Sequence, residues 1–150
     1  MGARSINDKT QDFVERVRSF TSGRGVDVIL DMVAGDYMPR ELDALAEGGR
    51  LVVVATLGGS AATLDIGKLM RRRLVVTGST LRPRPVAFKA AIARRLHEVV
   101  WPLIEADNVR PVIHEVFPAA EAAKAHALME SGAHVGKIVL GRMFTSDVLS

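Results

Sequence analysis

Apolar runs typical of buried strands alternate with stretches of helical periodicity along this chain. Residues 26–33 are rich in β-branched and aliphatic side chains, as in a strand that is buried on both faces. Phe13, Val17 and Phe20, by contrast, recur at the spacing of one helix face. This alternation is typical of parallel strands joined by helices, and it predicts the α/β class.

The same patterns predict the positions of the individual elements. The predicted strands are residues 26–33, 51–56, 74–77, 112–117 and 137–140. The predicted helices are residues 12–20, 37–47, 66–72, 88–103 and 118–131. Thr10 and Asp36 are the expected N-caps, because their side-chain oxygens can accept hydrogen bonds from the first turn. Pro102 is expected to interrupt the fourth helix, and Gly132 is expected to end the fifth.

The composition limits the chemistry and the location of the protein. The chain has 150 residues, of which 48% are hydrophobic, and no cysteine. This length supports one domain with one core. The lack of cysteine excludes thiol nucleophiles and thiolate zinc sites, and it favours the cytoplasm. The sequence has no signal-peptide pattern and no apolar run of the roughly 18 residues that a membrane span needs, so no membrane partner is expected.

The charge pattern is mildly basic. The chain has 20 Lys and Arg against 17 Asp and Glu, a net charge of +3. Many of the arginines lie in residues 71–95, but aromatic residues make up only 5% of the chain and no nucleic-acid motif is present. We therefore interpret the basic segment as a solvated face and expect no nucleic-acid partner.

A glycine-rich phosphate loop is not found where an α/β domain would carry one. Gly23 and Gly25 resemble the start of a G-x-G-x-x-G motif, but Val28 occupies its last position. The pair also precedes a strand, whereas the motif must follow one. The two glycines are therefore interpreted as a turn.

The sequence predicts neither a catalytic residue nor a metal site. Ser60 follows a strand as a G-x-S-x-G nucleophile does, but Ala62 replaces the last glycine. The four histidines do not have the spacing of metal ligands. Gly58 and Gly59 instead predict a loop at the carboxyl edge of the sheet, where open α/β sheets bind ligands.

Five segments resemble, in the same order, the zinc-independent quinone oxidoreductases of the medium-chain dehydrogenase superfamily, the group that includes zeta-crystallin. They are GVDVILDMV at 25–33, GRLV at 49–52, RRRLVVTGSTLR at 71–82, VRPVI at 109–113 and GKIVL at 136–140. The similarity covers about residues 2–140. Several motifs in the family order are more specific than any one of them alone.

The resemblance implies a partial Rossmann-type parallel sheet with flanking helices. Residues 1–140 would hold this partial nucleotide-binding domain and the C-terminal strands of the family fold, and residues 141–150 would be a tail. The first strands and the glycine-rich loop would precede this segment, so the chain would be the C-terminal part of a longer enzyme. Residues 3–7 would be the third strand of the family sheet, with strands four to six after it.

The resemblance also implies a cofactor, a substrate class and a partner. The family uses NADPH to reduce a quinone or an activated carbonyl, and this chain alone would be inactive. The implied cofactor-binding residues are Met32, Val33, Leu57, Gly58, Gly59, Ser60, Thr80 and Asn7. Asp8 stands where relatives usually carry a tyrosine, and Ala34 stands where a glycine is usual. A homodimer would form through the edge strand, residues 74–81.

Two alternatives stay open on the sequence. A fragment of an S-adenosylmethionine-dependent methyltransferase also shows a strand, an aspartate, a helix that ends in glycine and then GGRLVV, as at residues 48–53 here. The chain could also act as a non-catalytic dimerising module.

Overall fold

The computed structural model describes residues 3–141, which divide into two compact units between Pro85 and Val86. The strands are β1 Val26–Asp31, β2 Leu45–Val53, β3 Val75–Gly78, β4 Ile113–Pro118 and β5 Lys137–Gly141. The α-helices are α1 Phe13–Phe20, α2 Met38–Ala44, α3 Ile66–Arg72, α4 Val86–Val99, α5 Trp101–Glu105 and α6 Ala122–Ser131. Short 3₁₀ turns, Gly35–Tyr37 and Ala119–Glu121, precede α2 and α6.

The first unit contains a three-stranded parallel sheet in the order β1-β2-β3. Ile29 lies beside Leu51, and Leu51 lies beside Val76. Helices connect the strands, as parallel pairing requires. The α/β class and the Rossmann-like arrangement that the sequence predicts are therefore confirmed.

One face of this sheet forms the core of the first unit. The fully buried side chains are Leu42, Leu45 and Leu51, and Ile29, Leu69 and Val76 are among the partly buried residues that pack against them. α2 and α3 therefore cover the face from which Leu51 projects. Each fully buried leucine contributes roughly 1.5–3 kcal/mol of transfer free energy.

The opposite face of the sheet is exposed and carries apolar side chains on either side of Arg50, which lies between Val28 and Val75. Val28 and Leu30 are 61% and 66% exposed, and Val75 on β3 is 39% exposed. These side chains alternate with those that enter the core, because successive residues of a strand point to opposite faces. Parallel sheets usually have both faces covered. The elements of the first unit that the structure describes cover only one.

The helix caps differ in part from the expected ones. Asp12, rather than Thr10, caps α1, and its carboxylate accepts from the N–H groups of Val14 and Glu15 at 2.8 and 3.2 Å. Asp36 lies in a 3₁₀ turn and does not cap α2, which begins after Tyr37 without a side-chain cap. The chain makes a tight turn after β1 and so delays the helix.

α2 also ends earlier than the sequence predicts. It ends at Ala44, and β2 already begins at Leu45, ahead of the two glycines that we expected to end the helix. The Arg72 guanidinium donates to the carbonyl oxygens of Leu42, at 2.7 Å, and Leu45. These contacts satisfy acceptors at the helix end, which would otherwise lack partners.

Residues 3–7 are not a strand, so the prediction of a family strand there is wrong for this structure. The segment has no regular secondary structure, and β1 pairs only with β2 within the described residues. A strand needs a neighbour that satisfies its backbone groups, and the described chain places none beside this segment.

The second unit contains a parallel pair, β4 and β5, and the helices α4 to α6. α4 and α5 are separate helices, and Pro102 lies in the first turn of α5, as the predicted interruption requires. Gly132 ends α6 in the left-handed conformation, with φ +65°. The predicted tail begins inside β5 at Gly141, and its other residues, 142–150, lie outside the described part.

α4 is the longest helix in the described part of the chain, with 14 residues. Neither it nor any other described helix combines the length and the apolar character that crossing a bilayer requires.

Candidate functional site

Two loops meet at the carboxyl ends of β1 and β2. The Val54 N–H donates to the Asp31 carbonyl oxygen at 2.7 Å, and the Leu57 N–H donates to that of Met32 at 3.2 Å. A third bond runs from the Gly58 N–H to the Val33 carbonyl oxygen at 2.7 Å. Together these bonds fix residues 31–33 against residues 54–58, so the loops form one continuous edge.

Asp31 holds the loop after β1 in an unusual conformation. It is 3% exposed, and its carboxylate accepts from the Val33 N–H at 2.6 Å and from the Ala34 N–H at 2.9 and 3.1 Å. Ala34 has φ +58° and ψ −147°, a region that glycine occupies almost alone. This conformation explains why a glycine is usual at the position in the family that the sequence resembles.

Gly35 and Gly58 approach each other at the centre of this edge. A Cβ atom on Gly35 would lie 2.9 Å from the Gly58 carbonyl carbon, and a Cβ atom on Gly58 would lie 2.9 Å from Cγ1 of Val33. Neither distance is possible for a real side chain. The two glycines therefore allow the loops to pack backbone against backbone.

The loop after β3 extends the same edge and encloses a cleft. The Ser79 N–H donates to the Val53 carbonyl oxygen at 2.9 Å. The cleft has a volume of about 450 Å³ and is lined by Val53, Val54, Ala55, Thr56, Ser79, Thr80 and Arg82. Hydroxyl groups, backbone groups and one guanidinium thus line a concave surface at the carboxyl edge of the sheet, which is where α/β sheets bind nucleotides.

The structure brings most of the predicted cofactor residues to this edge. Met32, Val33, Leu57 and Gly58 lie in the two hydrogen-bonded loops, and Gly59 packs near Gly35, with 3.9 Å from its ideal Cβ position to the Gly35 Cα. Ser60 follows as an exposed residue of the same loop, and Thr80 lines the cleft. Their role as nucleotide contacts stays a prediction.

Asn7, the remaining predicted residue, lies in a local turn before α1. Its side-chain oxygen accepts from the Lys9 N–H at 3.1 Å, and its carbonyl oxygen accepts from Gln11 at 2.9 Å. The neighbouring Asp8 carboxylate accepts a hydrogen bond from the Tyr37 hydroxyl, which raises the pKa of that tyrosine. Asp8, which replaces the tyrosine that the resemblance implies at this position, thus contacts Tyr37 from another part of the chain.

Glu41 is a buried carboxyl group that the sequence analysis missed. It is 6% exposed, and burial, followed by the charge of Asp31 and a hydrogen bond with it, raises the pKa of Glu41 to about 7. Its Oε2 atom has no hydrogen-bond partner among the described residues. The sequence spacing could have indicated this burial. Glu41 lies three residues after Met38 and four before Leu45, which places it on the buried face of the helix.

Asp31 and Thr56 were also missed. An aspartate that ends a buried strand just before a tight loop is a typical side-chain-to-backbone turn, and this pattern could have identified Asp31. Thr56 lines the cleft because β2 and β3 end side by side, and no local sequence pattern predicts that arrangement.

No group of three or more His, Asp or Glu side chains within residues 3–141 is placed to hold a metal ion. The edge instead provides backbone and hydroxyl groups, which suit binding and orientation of a nucleotide. The absence of a side chain at Gly58 lets the loop after β2 lie directly against Val33 and Ala34, which keeps both loops at the same edge.

The sequence of residues 1–140 matches the profile of the zinc-binding dehydrogenase family. The chain belongs to this family. Within it, the expected resemblance to the C-terminal, nucleotide-binding part of medium-chain dehydrogenases is confirmed.

Two curated proteins with oxidoreductase names are similar to the chain. It is 31% identical over 140 residues to a 2-haloacrylate reductase from Burkholderia sp., covering 91% of this chain and 41% of that protein. It is 30% identical over 133 residues to a probable quinone oxidoreductase of Schizosaccharomyces pombe, covering 87% and 39%. These relatives do not favour the methyltransferase alternative.

Solved structures agree with the fold. An NAD-dependent alcohol dehydrogenase superposes with a TM-score of 0.71 at 28% identity, covering 92% of this chain and 37% of that one. A 2-haloacrylate reductase gives 0.69 at 28% identity, covering 92% and 43%. The chain thus spans about two fifths of the length of these four proteins.

Proposed function

We propose that this chain forms the nicotinamide-nucleotide side of an oxidoreductase that transfers hydride from NADPH to a quinone or an activated carbonyl. Membership of the zinc-binding dehydrogenase family supports a nicotinamide cofactor. The observation that carries the proposal is the edge at which the loops after β1, β2 and β3 meet beside the cleft. NADPH rather than NADH is the cofactor that the resemblance to quinone oxidoreductases implies.

The residues of the chain would bind and orient the cofactor. Met32, Val33 and the loop from Leu57 to Ser60 would contact it along the edge, Thr80 would donate or accept a hydrogen bond in the cleft, and Asn7 would lie at the adenosine end. When bound, the cofactor supplies the hydride. The chain contributes the geometry that holds the nicotinamide in place.

Amide chemical shifts on titration with the nucleotide test this proposal. NADPH should shift the amides of Val33, Leu57, Gly58 and Ser60, and NADH should do so more weakly. Replacement of the Thr80 hydroxyl in Thr80→Val should weaken binding by roughly five- to tenfold, since one hydrogen bond is lost. Thr63→Val, an exposed position outside the cleft, is the matched control. Shifts confined to Arg71, Arg72 and Arg73 would show charge attraction alone, and shifts with S-adenosylmethionine instead of NADPH would contradict the proposal.

We further propose that the isolated 150-residue chain does not reduce quinones. The chain spans about two fifths of the length of the 2-haloacrylate reductase and the quinone oxidoreductase. Most of its candidate binding residues lie in the loops that follow β1, β2 and β3. Turnover of NADPH with a quinone, proportional to the amount of chain and above a buffer blank, would contradict this.

The assembly that we propose is a homodimer through residues 74–81. β3 lies at one edge of the described sheet, which leaves backbone groups free to pair with a symmetry mate. The reducing cytoplasm is the proposed location, since the chain has no cysteine that would need an oxidising compartment. Independence from zinc remains a prediction of the resemblance.

A further inference from the structure

The longest stretch of the sequence without an acidic residue crosses the candidate site. No Asp or Glu lies between Asp65 and Glu98, whereas arginines and lysines recur there. Three of these arginines are occupied inside the first unit: Arg71 pairs with Asp65, Arg72 donates to the carbonyl oxygens of Leu42 and Leu45, and Arg73 pairs with Glu47. Arg82, by contrast, has no hydrogen-bond or ion-pair partner within residues 3–141. Its charge is therefore available to a ligand.

Arg82 lines the cleft at the ends of β2 and β3, together with Thr56, Ser79 and Thr80. No Asp or Glu is among the lining residues, so the formal charge of the cleft is positive. Because β2 lies between β1 and β3, the cleft is separated from the β1 edge of the sheet. An anion is complementary to this lining.

A tight turn fixes the backbone of Arg82 beside the cleft. The Arg84 N–H donates to the Leu81 carbonyl oxygen at 3.1 Å, which closes a β-turn with Arg82 and Pro83 at its centre. The ring of Pro83 fixes its own φ and restricts the conformation of the residue before it. The Ser79 N–H, which donates to the chain after β2, fixes the start of the same loop. A ligand that binds here therefore orders little additional backbone.

The groups around Arg82 favour a carboxylate on an apolar body. A guanidinium presents paired N–H donors that match the two oxygens of a carboxylate. The Thr56 and Ser79 hydroxyl groups at the same cleft can donate to an anion as well. Val54, which is 40% exposed, and Ala55 provide an apolar wall next to these donors. Inorganic phosphate would satisfy the donors but would leave this wall uncovered.

We propose that Arg82 determines substrate specificity by binding the carboxylate of a small acid whose apolar body packs against Val54 and Ala55. This inference rests on the proposed function, in which the adenosine end of the cofactor lies near Asn7. The nicotinamide end then lies towards β3, beside the cleft. The substrate class is thereby narrowed from any activated carbonyl compound to one that carries a carboxylate, and this carboxylate anchors the substrate without reacting.

The probe is trans-cinnamate, and uncharged cinnamamide is its isosteric control. At pH 7 cinnamate should shift the amide signals of Val54, Thr56 and Ser79 in the 150-residue chain. Cinnamamide should bind at least about fivefold more weakly, because a charge-assisted hydrogen bond is lost. The affinity for cinnamate should also fall as salt is added, since the cleft is open to solvent.

Arg82→Gln should weaken cinnamate binding by at least about fivefold and leave cinnamamide binding unchanged. Arg82→Lys, which keeps the charge but not the paired donors, should retain part of the affinity. Arg94→Gln is the matched control, because Arg94 is an exposed residue of α4 in the second unit. It should leave cinnamate binding unchanged.

The same titrations in the presence of NADPH separate this inference from the proposed function. Cinnamate should keep its Arg82-dependent affinity when NADPH is saturating. Displacement of cinnamate by NADPH would overturn the inference, because the guanidinium would then bind the nucleotide. Equal affinity for cinnamate and cinnamamide, no effect of Arg82→Gln, or tighter binding of inorganic phosphate in the cleft would overturn it too. If NADPH shifted none of the amides of Val33, Leu57 and Gly58 while cinnamate still bound through Arg82, the proposed function would fail and the carboxylate site would stand.

Discussion

The Asp31 carboxylate accepts two contacts from the backbone N–H of Ala34, at 2.9 and 3.1 Å, and holds Ala34 at φ +58°. Asp31 ends β1, so a side chain of the buried strand sets the path of the loop after it. The loop then presents the Met32 and Val33 carbonyl oxygens to the chain after β2. The geometry of the candidate site thus depends on a residue that need not touch a ligand.

Ala34→Gly should stabilise the protein. Glycine adopts the Ala34 conformation without the roughly 1–3 kcal/mol that other residues lose there. The gain is reduced by the entropy of the unfolded glycine and by the loss of a buried methyl group. We expect the free energy of unfolding to rise by up to about 1 kcal/mol, measured by urea denaturation.

Ala46→Gly is the matched control, since Ala46 is 2% exposed and lies in β2 with an ordinary φ. It should lower the free energy of unfolding by about 1 kcal/mol or more. Equal losses in both variants would show that Ala34 is not strained.

Gly35→Ala should separate the two loops. The new methyl group would overlap the Gly58 carbonyl group, and φ is +56° at this position. We expect a loss of about 2 kcal/mol or more and altered amide shifts from Leu57 to Ser60. Gly23→Ala is the control for strain alone, because φ is +85° there and no atom lies within 4 Å. The prediction fails if both variants lower the free energy of unfolding equally and the amide shifts from Leu57 to Ser60 do not change. The close approach of Gly35 to Gly58 would then not contribute to stability.

Stability should fall as the pH rises through neutrality. The pKa of Glu41 is raised in the folded state, from 4.5 to about 7, so the folded chain binds more protons than the unfolded chain between these values. The stabilising contribution is complete below about pH 4.5 and is lost as the pH approaches and passes 7. The total effect is roughly 3 kcal/mol.

Glu41→Gln should remove most of this pH dependence, because glutamine keeps the shape but does not titrate. Thermal unfolding between pH 5 and pH 8 measures it, with Glu15→Gln as the control. A Glu41→Gln variant that keeps the full slope would show that another group titrates.

Val75→Glu should convert the proposed dimer to a monomer. Val75 lies on β3, and a charged side chain on an edge strand disfavours pairing of that edge with another chain. Val135→Glu places the same charge at a 76% exposed position in the second unit and should leave the dimer intact. Light scattering at micromolar concentration distinguishes the two species. A monomeric unmodified chain would contradict the proposed interface.

Local sequence patterns were sufficient to predict most of the helices and strands. Periodic apolar residues predicted α3 with its observed bounds, Ile66–Arg72, and located the strands to within a few residues, apart from the early start of β2. Gly132 ends α6 because glycine adopts the left-handed conformation, and Pro102 marks the break between α4 and α5 because proline has no N–H to donate. Both effects depend only on the residue's own backbone. The loop with Gly58 could be placed at the carboxyl edge for the same reason, since it directly follows a strand.

The tertiary structure decided what depends on contacts between distant residues. The end of α2 depends on Arg72, which lies 27 residues beyond Leu45. The cleft depends on β2 and β3 ending side by side, and the raised pKa of Glu41 depends on its burial beside Asp31. Amino-acid patterns reflect the preferences of nearby backbone, whereas these features arise only when separate segments pack together and exclude water. The sequence therefore determined the elements and their order, and packing determined the chemistry of the groups between them.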